Sequence, residues 1–329
     1  MQTVMSFQSI TGQERVKRML QNSLRTDKVS HAYIFTGAPG TGRRAMARAF
    51  AQAIYCKVLP DDACGECLDC RKVEHGNHPD LHWIVPDGAS IKIDQIRELQ
   101  KQFAYRASAS NIKMYILEDA DKLTVQAANS LLKFLEEPTS QVVAVLITDN
   151  GQALLPTIRS RSQWIPFLPM GRSSMKELLL QEGHSPVLVQ AAVNLAAGPE
   201  AARELIQGNG FAELRNLVIQ LARESLSRLP SAMLTAQQKL AKGEFSEQLP
   251  RFMDMLILWL KDMVQLKLGS REELIYTDQL DWMSQQALSY SMEHWIACLE
   301  QAVETQKRLR SHANPQLALE HILMRLKGV

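Results

Sequence analysis

The sequence predicts an α/β fold, in which a parallel sheet is covered by helices on both faces, followed by a region that is helical throughout. Three observations support this prediction. A glycine-rich loop at 37–44 joins an apolar run at 32–35 to an alanine-rich helical run at 45–55. Further apolar runs then alternate with amphipathic ones, which is the order that builds a parallel sheet. After Pro169 no further convincing strand is found.

The elements of the α/β part follow from the spacing of apolar residues. An N-terminal helix places Val16, Met19, Leu20 and Leu24 on one face. Strands are predicted at 30–35, 82–85, 113–117, 142–148 and 164–167. Further helices are predicted at 45–55, 91–105 and 124–137, and the last of them begins after a capping Thr124 and is stopped by Pro138.

The region after Pro169 is predicted to contain helices only. Three short helices are expected at 173–182, 186–197 and 199–207, and Gly208-Asn209-Gly210 then marks a boundary. Long helices follow, with apolar faces such as Phe252, Leu256, Trp259, Leu260 and Met263. We therefore expect an α/β domain at 1–168, a small helical domain at 169–209 and a larger helical domain at 210–329.

The composition is that of a globular protein rather than a membrane or secreted one. The 329 residues are 46% hydrophobic and 22% charged, which is enough to bury a core. The N-terminus lacks a basic-then-apolar signal pattern, and no apolar run is long enough to span a bilayer, so we expect a cytoplasmic protein. A net charge of +2 does not indicate nucleic-acid binding, but it does not exclude a local basic surface.

The glycine-rich loop has the pattern of a nucleotide site with altered chemistry. Glycines let backbone N–H groups turn towards phosphates at the start of a helix. The usual loop ends in Lys and a hydroxyl residue, which serve the terminal phosphates and magnesium, whereas this loop ends in Arg43 and Arg44. The candidate nucleotide-binding residues of the loop are Gly37, Gly40, Thr41, Gly42, Arg43 and Arg44. ATP with magnesium is therefore disfavoured as a cofactor, but nucleotide binding itself stays open.

Two acids follow the predicted strand at 113–117. Glu118 and Asp119 stand where nucleotide hydrolases hold magnesium and polarise water. A solvated acidic turn is an equally good explanation for an isolated pair of this kind. The upstream glycine loop favours the functional location, and both acids are therefore candidate nucleotide-site residues.

Four cysteines form a cluster with the spacing Cys-x7-Cys-x2-Cys-x2-Cys. Cys56, Cys64, Cys67 and Cys70 can supply four thiolates, which suit a tetrahedral zinc ion with a closed and therefore structural shell. The alternatives are unligated thiols or a redox pair. Three nearby histidines can compete as ligands but are better explained as loop or surface residues: His75, His78 and His82. Cys298 is predicted to lie in the core.

Two arginines flank Ser160 near the end of the α/β part. Arg159 or Arg161 can reach the nucleotide of a neighbouring subunit and stabilise transition-state charge. A surface arginine paired with a carboxylate is the alternative.

Taken together, these motifs resemble the bacterial DNA polymerase III clamp loader. Its motifs occur here in the same order: Ser30-His31-Ala32-Tyr33, the glycine loop, the four cysteines, the Asn129–Pro138 stretch with its Leu-Lys-Phe-Leu-Glu-Glu-Pro ending, and Ser160-Arg161-Ser162. Near the end, Asn314–Glu320 resembles the family's collar helix. The resemblance covers essentially the whole chain.

Within that family, the chain resembles the δ′-type subunit more than the τ/γ motor. Arg43 and Arg44 replace the motor's Lys and hydroxyl residue, and Ala201 stands where the motor's Gly-Ser-x-Arg pattern has an arginine. The chain also ends after the expected collar, whereas τ continues. The resemblance implies a subunit without ATPase activity of its own; a working ATPase motor and a purely scaffolding subunit remain the alternatives.

The resemblance also implies partners and residue roles. The clamp loader is a pentameric ring of AAA+ proteins that opens the β sliding clamp and places it on primed DNA. This chain would contact τ/γ and δ subunits, and the DNA through its phosphate backbone, without sequence specificity. Arg161 would be an arginine finger that acts in trans; Ser162 replaces the family's cysteine. The 169–209 region would be the lid, and the helices from Phe211 would form the collar.

Overall fold

The apolar runs of the N-terminal half form a five-stranded, wholly parallel sheet in this computed structural model, which describes residues 6–104, 112–136, 141–311 and 313–328. The strand order is β2-β3-β4-β1-β5. The strands are β1 (Ala32–Thr36), β2 (Leu81–Ile84), β3 (Ile112–Leu117), β4 (Gln141–Thr148) and β5 (Gln163–Pro166). Because β1 lies between β4 and β5, residues far apart in the sequence meet at the carboxyl edge of the sheet.

Helices cover both faces of the sheet. The helices of this part are α1 (Glu14–Arg25), α2 (Arg43–Tyr55), α3 (Leu68–Glu74), α4 (Ile93–Ala104), α5 (Val125–Glu136) and α6 (Pro156–Ser160). Tyr33 and Phe35 of β1 pack with α1 and α2, whereas Ala32 and Ile34 pack with α4 and α5 on the opposite face. Burial on both faces explains why the central strands are apolar at nearly every position.

The predicted elements of the α/β part are confirmed to within a few residues. The predicted strand at 82–85 is β2, and the predicted helix at 45–55 is α2, which begins two residues earlier, at Arg43. The predicted end of one helix at Tyr105 and the predicted stop at Pro138 lie outside the described residues.

The chain divides into two compact units. The first comprises the residues up to Gly171 together with Ala197–Ala201, and the second comprises Arg172–Ala196 and the residues from Ala202 onwards. The remaining helices are α7 (Arg172–Gln181), α8 (Pro186–Leu195), α9 (Pro199–Gln207), α10 (Phe211–Ser227), α11 (Leu229–Ala236), α12 (Leu249–Lys267), α13 (Leu280–Ser289), α14 (Met292–Arg310) and α15 (Pro315–Lys327). The division into three domains at 168 and 209 stays a prediction.

The second unit contains no strand among its described residues, as predicted. Its core is built around α12, whose predicted apolar face is buried. The Trp259 indole lies edge-on to the Trp295 indole, with 6.1 Å between ring centroids. No described helix combines the length and the apolar character needed to cross a membrane.

Candidate functional site

The glycine loop joins β1 to α2 and keeps a tight, left-handed backbone. Gly40 and Gly42 have φ values of 82° and 85°, which favour glycine. The loop is also packed closely against the Ala197–Ala201 segment. A Cβ on Gly198 would lie 2.3 Å from the Gly40 carbonyl oxygen, and a Cβ on Gly40 would lie 2.5 Å from the Cβ of Ala201. The loop therefore depends on glycine for its backbone at 40 and 42, and it requires a small residue on each side of the contact with the Ala197–Ala201 segment.

The charge of Arg43 is paired within the protein and is not available to a bound phosphate as a free cation would be. Its side chain is 9% exposed, and its guanidinium donates to the Thr148 carbonyl oxygen at the end of β4. A second guanidinium nitrogen lies 2.5 Å from the Asp149 carboxylate. The cation that replaces the phosphate-binding lysine is thus neutralised by a partner 106 residues away.

Glu118 is held in the same way. Its Oε2 lies 2.5 Å from the Arg44 guanidinium, and its Oε1 accepts a hydrogen bond of 2.6 Å from the Trp83 indole N–H. The Arg48 guanidinium lies over the same Trp83 ring, 5.3 Å from its centroid. Both oxygens of the predicted magnesium ligand are occupied, and its charge is balanced by a residue of the loop itself.

The second predicted acid, Asp119, is oriented by its own turn. It has a left-handed φ of 48°, and its carboxylate lies 2.9 Å from the Lys122 ammonium. This hydrogen bond raises the pKa of Lys122. Asp121 accepts a hydrogen bond of 2.6 Å from the Thr148 hydroxyl. The acids after β3 therefore pair with Lys122, Thr148 and Arg44.

A cavity of about 290 Å³ lies beside the loop within the first unit. The backbone of Gly40 and Gly42 and the residues around Pro199 form its walls. Gln13 bridges two sides, because its amide donates to the carbonyl oxygens of Thr41 (3.1 Å) and Leu168 (2.7 Å). The cavity has room for a small ligand next to the loop.

The four predicted cysteines come together between α2 and α3. Their sulfur atoms all lie within 4.8 Å of one another, and those of Cys64 and Cys70 are 4.0 Å apart. A tetrahedral zinc site with Zn–S bonds of about 2.3 Å has S···S edges of about 3.8 Å, so the cluster fits a metal ion. Backbone N–H groups donate to Cys64 Sγ and Cys67 Sγ at 3.3 and 3.4 Å. The backbone N–H groups of Cys67 and Glu66 lower the pKa of Cys64 to about 7, whereas burial raises the pKa of Cys70.

The nearby histidines lie outside this cluster. His78 is buried and stacks on Tyr55, with 3.9 Å between ring centroids. His75 contacts the Arg71 carbonyl oxygen, and the His82 ring packs against Phe103. Cys298 is buried in the second unit, as predicted. Of the described residues, the four thiols alone form a group suited to a metal ion.

The two arginines near α6 differ in exposure. Arg159 is half-buried and donates to the Gln152 side-chain oxygen. Arg161 follows the last residue of α6, is exposed, and donates to the Thr157 carbonyl oxygen at 3.2 Å. Arg161 is the arginine that presents its side chain at the surface.

Comparisons with known proteins show the family to which this chain belongs. A family profile described as "DNA polymerase III, delta subunit" matches residues 12–171, and one for the "delta subunit, C terminal" matches 210–328. The DNA polymerase III subunit delta′ of Bacillus subtilis is 38% identical over 317 residues, which cover 96% of each chain. The chain belongs to the DNA polymerase III δ′ family.

This δ′-family chain is also similar to other DNA polymerase III subunits. The δ′ subunit of Pseudomonas aeruginosa is 30% identical over 90% of this chain and 91% of its own. The B. subtilis subunit tau is 34% identical over 56% of this chain but only 35% of its own. A gamma subunit-related protein from Thermotoga maritima is a similar solved structure, with 20% identity, a TM-score of 0.40, and coverage of 96% of this chain and 98% of its own.

Sequence reasoning found the loop, the acids and the thiols, but it missed their partners. Asp149 binds the Arg43 side chain and Trp83 binds the Glu118 side chain, whereas Gln13 binds the backbone of Thr41. Asp149 follows an apolar strand directly, and this is the same signal that identified Glu118. No comparable signal existed for Trp83 or Gln13.

Proposed function

We propose that this chain is a δ′ subunit of the DNA polymerase III clamp loader, which helps place the β sliding clamp on primed DNA. It does not hydrolyse ATP by itself. The observation that carries the second statement is the pairing of the loop cations. Arg43 is bound to Asp149 and Thr148, and Arg44 is bound to Glu118.

The chemistry of hydrolysis is missing from this loop for a physical reason. A hydrolase needs a cation on the terminal phosphates, a hydroxyl on magnesium and an acid that can approach the metal. Arg43 is held at the end of β4, position 44 carries no hydroxyl, and Glu118 already has a guanidinium and an indole as partners. A nucleotide that entered the adjacent cavity would still lack these three groups.

The proposed contribution of the chain to catalysis is made in trans. Arg161 is exposed at the end of α6, where a guanidinium can reach the nucleotide of an adjacent τ/γ subunit. There it would stabilise the charge of the transferring phosphoryl group. The partners would be τ/γ and δ subunits in a pentameric ring in the cytoplasm, with the β clamp and the backbone of primer-template DNA as substrates of the complex.

The remaining regions would support that assembly. Residues 169–209 would be the lid, and the helices from Phe211 onwards would form the collar that holds the ring. The four thiolates would hold a structural zinc ion, which would join the end of α2 to α3. A closed shell of four thiolates leaves no position for a substrate, so the ion would stabilise the fold without taking part in hydrolysis.

The test is ATP hydrolysis by a reconstituted loader in the presence of the β clamp and primed DNA. We expect the isolated chain to be silent and an assembly with Arg161→Ala to hydrolyse more slowly. Arg97→Ala removes an exposed arginine of the same unit, outside the proposed site, and is the matched control.

Each other outcome would favour a different function. Magnesium-dependent ATP hydrolysis by the isolated chain would identify an ATPase motor. It would contradict the conclusion that Arg43 and Arg44 cannot support hydrolysis. If the isolated chain does not hydrolyse ATP and the assembly with Arg161→Ala hydrolyses ATP at the normal rate, the chain would be a scaffolding subunit.

A further inference from the structure

A second cavity, of about 320 Å³, lies wholly within the helical unit. It is bordered by α7, α8, α12 and the segment that follows α12. We call it the cationic cleft; the residues that define it are Arg172, Lys176, Gln190, Lys261, Asp262 and Glu273. No residue of the glycine loop or of the thiol cluster contributes to it, so its chemistry is separate from the site described above.

Three cations converge on this cleft from two helices. Arg172 and Lys176 are four residues apart on α7, and residues at that spacing lie on the same face of a helix. Lys261 comes from α12. All three are exposed, and none of them takes part in an ion pair among the described residues. In addition, α7 begins at Arg172, so the positive end of its dipole lies at the cleft.

The two acids of the cleft do not cancel this charge. Asp262 is 1% exposed, and its Oδ2 accepts hydrogen bonds of 2.8 Å from the backbone N–H groups of Ile275 and Tyr276. Its carboxylate therefore binds the backbone of the segment after α12 and is not exposed to the cleft as a free charge. Glu273 is exposed and is the other acid that lines the cleft, against three exposed cations. The accessible part of the cleft carries an excess of positive charge.

Gln190 supplies a further polar group. Its amide nitrogen donates to the Leu274 carbonyl oxygen at 3.1 Å, so the side-chain orientation is set. Its Oε1 is buried and has no hydrogen-bond donor among the described residues. A buried acceptor without a donor is costly, so this part of the cleft wall is polar but incompletely satisfied.

We propose that the cationic cleft binds a small phosphate-bearing molecule. The phosphate lies between Lys176, Lys261 and Arg172, where ammonium and guanidinium groups donate charge-assisted hydrogen bonds to its oxygens. The volume is at the lower end of ligand cavities, roughly 300–1,000 Å³, and so favours a phosphomonoester the size of a nucleoside monophosphate or smaller.

Calorimetric titration of the full chain with inorganic phosphate and with AMP, at low ionic strength, tests this proposal. We expect saturable binding of at least one probe, weakened about tenfold by Lys261→Gln and by Lys176→Gln, because each removes one charge-assisted contact. Lys239→Gln removes an exposed lysine of the same unit outside the cleft, and we expect it to leave the affinity unchanged. Tighter binding of AMP would identify an organic phosphate, and tighter binding of the inorganic ion would identify free phosphate.

Amide hydrogen exchange locates the ligand and separates this proposal from the glycine loop. We expect protection at 172–176 and 273–276 when the probe is added. Protection confined to 37–44 would place the phosphate in the glycine loop and overturn the proposal. It would also be overturned by the absence of saturable binding of both probes, or by equal affinities of the Lys261→Gln, Lys176→Gln and parent chains.

Discussion

Arg44→Thr tests whether internal pairing holds the glycine loop. The change restores a hydroxyl where a phosphate loop has one, and it also removes the guanidinium that lies 2.5 Å from Glu118. Glu118 would keep the Trp83 indole as a donor, but its second oxygen would lose its charged partner at a position that is 9% exposed. The consequence is an under-compensated carboxylate in a nearly buried position.

The expected loss of stability is about 1–2 kcal/mol. An exposed ion pair contributes about 0–1 kcal/mol, and the Arg44 side chain is 66% exposed, so solvent screens its charge. A buried acceptor that loses its partner costs about 1–3 kcal/mol, which raises the expectation above that of a surface pair. Urea unfolding at pH 7.5 measures the difference. Arg44→Lys, which keeps the positive charge, is the matched control, and we expect it to lose less than half as much.

A second readout concerns nucleotide chemistry. We expect Arg44→Thr to remain without hydrolysis, because Arg43 still binds Asp149 and the Thr148 carbonyl oxygen. If Arg44→Thr unfolds at the same urea concentration as the parent chain, the Arg44–Glu118 pair does not stabilise the fold. The interpretation that side-chain pairing within the chain stabilises the glycine loop would then be wrong.

Three further predictions concern other parts of the chain. Burial raises the pKa of Asp262 from 3.8 to about 6, so folding stability should fall by about 2 kcal/mol as pH rises from 4 to 7; Asp262→Asn should flatten this dependence, and equal pH profiles in urea unfolding would contradict it. Metal analysis should find one zinc ion per chain, lost in Cys67→Ser and retained in Cys298→Ser, and zinc-free parent protein would refute the site. Gly198→Ala should destabilise the first unit by about 1–3 kcal/mol, because its Cβ would meet the Gly40 carbonyl oxygen, whereas Gly171→Ala, which meets nothing within 4 Å, should be neutral in thermal unfolding.

Much of the fold could be predicted because its signals are local. The strands β1, β3 and β4 are apolar at nearly every position since both faces of the sheet are covered, and the glycine loop and helix α2 follow β1 without interruption. The thiol cluster could be predicted for the same reason, because 15 residues from Cys56 to Cys70 contain all four ligands.

The pairings that close the site could not be predicted in this way. Arg43 meets Asp149 because β1 lies directly beside β4 in the sheet, although β2 and β3 come between them in the sequence. Arg44 meets Glu118 because β3 is the next strand beyond β4. The spacing of apolar residues determines which segments form strands, but the order of the strands depends on the packing of all of them together.

The sequence by itself determined the class of the fold, the altered phosphate loop, the four thiols and the resemblance to the clamp loader. Only the tertiary structure decided that the two loop arginines are bound within the chain and that Arg161 lies at the surface. It alone brought Lys176 and Lys261 to one cleft. The physical reason is that residue type and local spacing are properties of a segment, whereas the neutralisation or exposure of a charge depends on elements that are distant in the chain.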